Sequence, residues 1–289
     1  MDFWFALCAA QAAAWFWGVP HLAKPYWETF WSKFPPVQAE LALNVTGFFL
    51  FLAYSVVMLP IYTAKWPFFE QFKISDKPWP WHDPNPTVRE AFWSQSRKSV
   101  GLFLFNFFIL VPLLTYGKCQ LFDPLNFSTA DWPSRSTAMW QLVAMTFLHE
   151  LGFYLTHRFM HWPVVYRFHK VHHEYKQNNV LASQHNHPID YIVSIASPAL
   201  LAMALVNPHS ITQFQFLVYA IWTNLDDHVG YAFPWSPVRW FPLANLTEQH
   251  EFHHAINLGC FASKLNVWDK LFQSEERYLR WAASRAKKA

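Results

Sequence analysis

Charged side chains are scarce in this chain of 289 residues, and their scarcity excludes several classes of protein. Asp, Glu, Lys and Arg together make up 14% of the sequence, whereas 53% is hydrophobic. A soluble domain usually carries about 25% charged residues, so an ordinary soluble fold is disfavoured. The basic residues form no long run and the net charge is only +3. No nucleic-acid partner is therefore expected.

Cysteine is also scarce. Cys8, Cys119 and Cys260 are the three cysteines, and they lie far apart in the sequence. This spacing provides no disulfide framework and no Cys-x-x-Cys metal site, which agrees with a reducing compartment or with burial in a membrane. The sequence also has no low-complexity linker. These absences favour one integral membrane domain.

Long apolar runs and aromatic side chains are abundant instead. Aromatic residues make up 20% of the chain, with 17 Trp and 29 Phe, as expected for helices with aromatic belts at membrane interfaces. Asn207-Pro208 separates the last two apolar runs and predicts a helical hairpin. We therefore predict an all-α fold, a polytopic integral membrane helical bundle. The apolar runs cover residues 3–19, 41–62, 100–116, 189–206 and 211–225.

Histidine is concentrated in one part of the chain. Thirteen of the 15 histidines lie between His149 and His254, mostly in the motifs HRFMH, HKVHH and HEFHH. Residues separated by three or four positions share a face of an α-helix. The motifs therefore predict three helical faces that present eight imidazoles. These are His157, His161, His169, His172, His173, His250, His253 and His254.

So many imidazoles indicate a metal site. Neutral imidazole binds iron, zinc and copper, and without a metal this cluster would be a group of buried polar side chains lacking partners. A tetrahedral zinc ion takes four protein ligands, and an open non-haem iron commonly takes three. Eight or more ligands therefore predict two metal ions. Carboxylate-bridged di-iron bundles use Glu and Glu-x-x-His, and this sequence has histidine where those have Glu.

The order HRFMH, HKVHHEYK, HEFHH resembles the integral-membrane fatty acid hydroxylase and sterol desaturase superfamily. The stretches KISDKPWPW, LASQHNHPID, DDHVGYAFPWSP and NVWDKLF are similar to those of sterol C4-methyl oxidases. The resemblance implies two non-haem iron ions that activate O2 and insert oxygen into a C–H bond. It also implies electrons from NAD(P)H, delivered through cytochrome b5 and its reductase. No His-Pro-Gly-Gly haem signature is present, so we expect no fused cytochrome b5 domain.

Further ligands are suggested outside the three motifs. The resemblance implies that His228 is a ligand, and His187 lies where sterol-type relatives also have His-Pro. Asn224 precedes His228 by four residues, so it either supplies an amide oxygen or serves helix packing. His185 and His149 are weaker candidates. Some nearby carboxylates should orient the ligands by accepting their second N–H. They are Glu150, Glu174, Asp190, Asp226, Asp227 and Glu251.

The chain is predicted to have three parts. Residues 1–68 form N-terminal transmembrane helices, residues 69–275 form the catalytic domain, and residues 276–289 form a charged soluble tail. The histidine-rich di-metal cap should face the cytosol, where an electron donor on the cytosolic side of the membrane can reach it. The resemblance implies a multi-pass protein of the endoplasmic reticulum membrane.

Three functions are consistent with these features. The first is a monooxygenase that oxidises the C4 methyl group of a sterol. The second uses the same di-iron site on a fatty acyl, sphingoid or alkylglycerol lipid. The third is a non-catalytic membrane protein that binds zinc.

Overall fold

The computed structural model describes residues 2–240 and 243–286, which contain helices and no β-strand. The all-α prediction is therefore confirmed. The last three residues of the predicted tail lie outside the described residues. The α-helices are α1 (Asp2–Ala13), α2 (Val19–Trp31), α3 (Pro36–Ala64), α4 (Pro67–Glu70), α5 (Pro86–Phe105), α6 (Val111–Leu121), α7 (Arg135–Met160), α8 (Tyr166–His169), α9 (Pro188–Asp190), α10 (Ser197–Val206), α11 (Ser210–Asp227), α12 (Thr247–Ile256), α13 (Val267–Leu271) and α14 (Glu276–Ala286).

Three helices of the described chain are long and apolar enough to cross a membrane. They are Pro36–Ala64, Pro86–Leu121 and Pro188–Val206, and they contain three of the predicted apolar runs. The second joins α5 to α6 through a π-helical segment, Asn106–Leu110. The runs at 3–19 and 211–225 are also helical, but they are not among the three helices that are long and apolar enough to cross a membrane. The prediction of a polytopic membrane bundle is confirmed.

The predicted helical hairpin is formed by α10 and α11. Asn207 ends α10 in the left-handed conformation, with φ of 46°, which Asn tolerates better than most residues. His209 then caps α11, because its Nδ1 accepts the Ile211 N–H at 3.2 Å while its Nε2 donates to Ser128 O at 3.0 Å. Beyond this turn, α11 packs against α3 and α7, and α10 packs along α7.

A buried ion pair fixes one end of the bundle. Lys118 Nζ donates to Glu40 Oε1 at 2.9 Å and to Asp123 O at 3.0 Å. Glu40 Oε1 also accepts the Leu125 N–H at 2.6 Å. An unpaired charge at this depth would be costly, whereas a paired and hydrogen-bonded one is tolerated. The pair therefore ties α3 to α6 and to the loop that follows α6.

The opposite end of α3 holds the histidine-bearing part of the chain. The Tyr62 hydroxyl donates to Val229 O at 2.8 Å and accepts the Val180 N–H at 3.1 Å. Tyr62 lies 22 residues after Glu40, so these two residues are about 33 Å apart along α3, close to the thickness of a bilayer core. Charge pairing and histidine chemistry thus occupy opposite ends of the bundle.

Replacing Lys118 with Met should destabilise the protein, because it leaves the buried Glu40 carboxylate without its cation. We expect a loss of about 3–5 kcal/mol, seen as a lower midpoint in thermal unfolding followed by detergent size-exclusion chromatography. The double variant E40Q/K118M should recover part of the loss. Equal stability of K118M and the unmodified protein would contradict this role.

Candidate metal centre

Nine histidine side chains converge in two groups. Within each group, one nitrogen from every ring lies within 4.8 Å of the others, and all the residues are buried except the partly buried His161. The first group, called cluster A, consists of His157, His161, His169, His173 and His253. The second, called cluster B, consists of His172, His228, His250 and His254.

Local structure places these side chains in different ways. His157 lies in the last turn of α7 and His161 follows as its C-cap residue. Helix α12 carries the three histidines of HEFHH. The prediction of one helical face was wrong for HKVHH, because α8 ends at His169 and a short 3-10 turn, His172–Glu174, carries the rest.

The two His-x-x-His-His motifs are shared between the clusters in opposite senses. From the first motif, His169 and His173 enter cluster A and His172 enters cluster B. From the second motif, His250 and His254 enter cluster B and His253 enters cluster A. On α12 this follows from geometry, since positions i+3 and i+4 differ by about 100° around the helix axis. Each motif therefore contributes to both clusters.

Main-chain carbonyls fix the tautomers in cluster A. His157 Nδ1 lies 2.8 Å from Phe261 O, and His253 Nδ1 lies 2.6 Å from Gly259 O. A carbonyl only accepts, so both rings carry their proton on Nδ1 and expose a bare lone pair on Nε2. These two Nε2 atoms are 3.1 Å apart. Two lone pairs at this distance repel unless a cation lies between them.

Cluster B has the same arrangement. His228 Nδ1 is 2.7 Å from Asn224 O, and His254 Nδ1 is 2.9 Å from Tyr175 O. Both Nε2 atoms approach His250 Nε2, at 2.9 Å and 3.1 Å. His250 has at most one proton on that nitrogen, which can satisfy only one neighbour. A lone pair is therefore left facing another nitrogen in this cluster too.

The spacing and protonation of the rings suit metal ligands. Nε2 atoms in contact are between 2.9 and 3.3 Å apart. Metal–nitrogen bonds of about 2.0–2.1 Å place neighbouring ligands about 2.9 Å apart at right angles and about 3.3 Å apart in a tetrahedron. Burial, together with neighbouring imidazoles, holds the pKa of His250, His253 and His254 well below its ordinary value. The donors are therefore neutral.

Two predicted ligands lie outside the clusters, and the ligand role of both remains a prediction. His187 packs on Phe168, and its Nδ1 accepts the Ile189 N–H at 3.1 Å. Asn224 adjoins cluster B, where its carbonyl orients His228. Its Oδ1 is buried and has no hydrogen-bond partner among the described residues.

His185 and His149, the weaker candidates, also lie outside both clusters. The two nitrogens of His185 contact Ser99 Oγ at 2.8 Å and Glu174 Oε2 at 2.9 Å. His149 is buried against Phe153 and Phe216. Neither ring therefore offers a nitrogen to the two clusters.

One of the predicted carboxylates orients a cluster histidine, and main-chain carbonyls orient several of the others. Asp190 does contact a cluster histidine, with Oδ2 2.9 Å from His169 Nδ1. The other orienting groups described above are carbonyls, two of which follow α12 in the sequence. The carbonyl of Gly259 depends on a turn with φ of 75°, where an added Cβ would lie 2.3 Å from Ser274 O. The only signal for it in the sequence is the glycine after HEFHH.

A cavity of about 260 Å³ extends from the clusters into the bundle. His157, His172 and His228 form part of its wall at the cap end, and Lys118 and Glu40 form part of it at the other. Its wall along α11 spans 15 residues, or about 22 Å. The middle of this wall is apolar and its ends are polar. The α11 residues are Gln213, Phe216, Leu217, Ala220, Ile221, Asn224 and Asp227, followed by His228.

Replacing His253 with Ala should reduce the metal content of the purified protein, because cluster A loses one of its fixed lone pairs. We expect inductively coupled plasma mass spectrometry to show the total metal content per chain falling to about half of that of the unmodified protein, because cluster B keeps its ligands. His187→Ala is the matched control and should keep full metal content. Similar losses in both variants would contradict the cluster assignment.

Comparison with known proteins gives relatives for this site. Residues 142–274, which include both clusters, match the fatty acid hydroxylase family. The C-4 methylsterol oxidase erg25 of Schizosaccharomyces pombe is 28% identical over 229 residues, covering 76% of this chain and 71% of the relative. Methylsterol monooxygenase 1 of Rattus norvegicus is 25% identical over 244 residues, covering 83% and 77%.

A relative with a different name is also similar. The very-long-chain aldehyde decarbonylase GL1-8 of Oryza sativa is 31% identical over 195 residues, covering 65% of this chain and 72% of the relative. No solved structure matches the chain. The family match contains every histidine of the two clusters. The chain therefore belongs to the fatty acid hydroxylase family.

Proposed function

We propose that this protein is a membrane-bound monooxygenase that uses two non-haem iron ions to oxidise the C4 methyl group of a sterol. The observation that carries the proposal is the position of the two imidazole clusters at one end of a long apolar cavity. A lipid that fills this cavity would present one end to the metals. The names of the similar methylsterol oxidases support the sterol as substrate.

Cluster A favours iron over structural zinc. Structural zinc sites are almost always closed and four-coordinate, whereas cluster A offers five imidazoles. Iron in clusters A and B would supply the activation of O2 and the cleavage of the C–H bond. The chain would hold the ions with neutral donors and would keep bulk water away by burying the rings. It fixes five of the rings through their second nitrogen, those of His157, His169, His228, His253 and His254.

The residues of the cavity wall would determine which carbon of the substrate lies near the clusters. Phe216, Leu217, Ala220 and Ile221 form an apolar stripe on α11 that leads to His228. Helix α3 contributes Leu43 and Gly47 to the same cavity, so the proposed N-terminal part, residues 1–68, helps to position the substrate of the catalytic part, residues 69–275. Fixing one carbon near the metals in this way determines which bond reacts.

The reaction needs electrons from outside the clusters. Inserting one atom of O2 into a C–H bond and reducing the other atom to water consumes two electrons and two protons. We propose cytochrome b5 as the donor, supplied from NAD(P)H by its reductase. The cap would then face the cytosol and the protein would lie in the endoplasmic reticulum membrane.

Cavity length alone does not select the lipid. About 22 Å accommodates a sterol or an extended acyl chain, and the rice relative is named for an aldehyde with a very long chain. The preference for a sterol rests on the methylsterol relatives. A fatty acyl, sphingoid or alkylglycerol substrate is therefore the competing outcome of the activity test.

Membranes containing the protein should oxidise a 4,4-dimethyl sterol when supplied with NADH, a cytochrome b5 system and O2. We expect mass spectrometry to find oxygen on the C4 methyl carbon, with a long-chain fatty acid in the same mixture unchanged. Membranes with the His253→Ala variant are the control. Oxygen on the acyl chain and none on the sterol would contradict the proposed substrate.

Replacing Ala220 with Phe should block the cavity without disturbing the clusters, because Ala220 lies in the apolar stripe on α11. We expect at least a tenfold fall in turnover with unchanged metal content. Leu201→Phe places the same ring on an exposed position of α10 and should leave turnover nearly unchanged. Full activity in Ala220→Phe would show that the substrate does not use this cavity.

A further inference from the structure

Lys264 is a buried cation that the proposed chemistry does not use. Its side chain is on the cavity wall and the residue is only 3% exposed. Glu150 holds its backbone in place, since Oε1 accepts the Ser263 N–H at 2.6 Å and Oε2 accepts the Lys264 N–H at 2.9 Å. The loop after α12 is thereby tied to α7, and the position of the lysine is fixed.

The ammonium group itself has no hydrogen bond within the described part of the chain. It lies over the face of Phe153, whose ring centroid is 5.9 Å from Nζ. The carboxylates of Glu150 and Asp227 attract it through space without forming an ion pair. A lysine ammonium has three N–H donors, and leaving all of them unused in a buried site is costly. A hydrogen-bond acceptor for this ammonium group can reach it only through the cavity.

Lys264 lies near the metal end of the cavity. Phe153 contacts the ammonium on one side and His157 of cluster A on the other, with 5.1 Å between ring centroids. Asp227, also on the cavity wall, directly precedes His228 of cluster B. A polar group bound by Lys264 would therefore lie beside the part of the substrate that reacts.

The neighbouring charges indicate which polar group fits. Asp227 accepts a distant hydrogen bond on Oδ2 from Ser263 Oγ, at 3.5 Å, and Oδ1 has no donor among the described residues. The site therefore offers one donor, Lys264 Nζ, and one acceptor, Asp227 Oδ1. Two carboxylates already outnumber the single ammonium, so another carboxylate would be repelled. A neutral hydroxyl, which accepts one hydrogen bond and donates another, matches both groups.

We propose that Lys264 and Asp227 form a hydroxyl-binding subsite that holds the 3-hydroxyl of the sterol beside the metal clusters. This inference rests on the proposed function. The hydroxyl-bearing carbon of such a sterol is bonded to C4, so anchoring the hydroxyl presents the C4 methyl group to the clusters. Lys264 is thus a positioning residue that determines specificity.

Ligand binding tests the subsite without requiring turnover. The purified full-length protein, reconstituted in lipid nanodiscs, is titrated with radiolabelled 4,4-dimethyl sterols that carry a 3-hydroxyl, a 3-methyl ether or no oxygen at C3. A hydrogen bond to a charged group is worth a factor of roughly ten to a hundred in affinity. We expect the 3-hydroxy sterol to bind that much more tightly than the 3-deoxy sterol, with the ether between them.

The variant Lys264→Met should lose most of this preference, because only the Asp227 acceptor remains, and its affinity for the 3-hydroxy sterol should fall toward that of the unmodified protein for the 3-deoxy sterol. Lys270→Met, which changes an exposed lysine, should keep the full preference. An unchanged preference in Lys264→Met would overturn the subsite.

The unmodified protein also tests the subsite, whether or not Lys264→Met folds. Equal affinity for the hydroxy and deoxy sterols would overturn the subsite while leaving a sterol substrate intact. Failure of the unmodified protein to bind any of the three sterols would instead reject the proposed function itself, and the subsite with it.

Discussion

The structure depends on imidazole lone pairs that face one another in a buried space. In cluster A, carbonyls of the loop after α12 hold His157 and His253 as Nδ1–H tautomers, so their Nε2 lone pairs meet at 3.1 Å. This arrangement is repulsive by itself and favourable around a cation. The polar contacts of the cap, from Asp190 on His169 to the turn at Gly259, keep the lone pairs aimed at the same points.

The membrane bundle provides a long apolar cavity that leads to this site. Helix α11 crosses from the buried Glu40–Lys118 pair to cluster B, and its apolar stripe lines the cavity between them. Glu40 and Lys118 are paired with each other at one end of the cavity, whereas Lys264 retains unused donors near the clusters at the other. A lipid can therefore lie along α11 with its polar end at the cap. Helix α11 therefore connects the membrane bundle to the histidine clusters.

Much of this organisation could be predicted from the sequence, because it depends on local patterns. Apolar runs predicted the helices, Asn207-Pro208 predicted the hairpin between α10 and α11, and histidine spacing predicted eight of the nine rings that converge. The distribution of each motif between two clusters could not be read locally, since His172 leaves the face of His169 only because the helix ends there. Tertiary partners decided the rest. In the sequence, Lys264 is indistinguishable from an ordinary surface lysine. Its burial depends on Glu150 and Phe153, which are distant in the sequence.

Two metal ions held by the two imidazole clusters would each be surrounded by nitrogen donors. X-ray absorption at the iron edge, combined with metal analysis of the purified full-length protein, tests this most directly. We expect two iron ions per chain, each with a shell of nitrogen and oxygen atoms near 2.0–2.2 Å and the scattering pattern of several imidazoles. A single metal per chain, or a shell containing sulfur, would contradict this expectation.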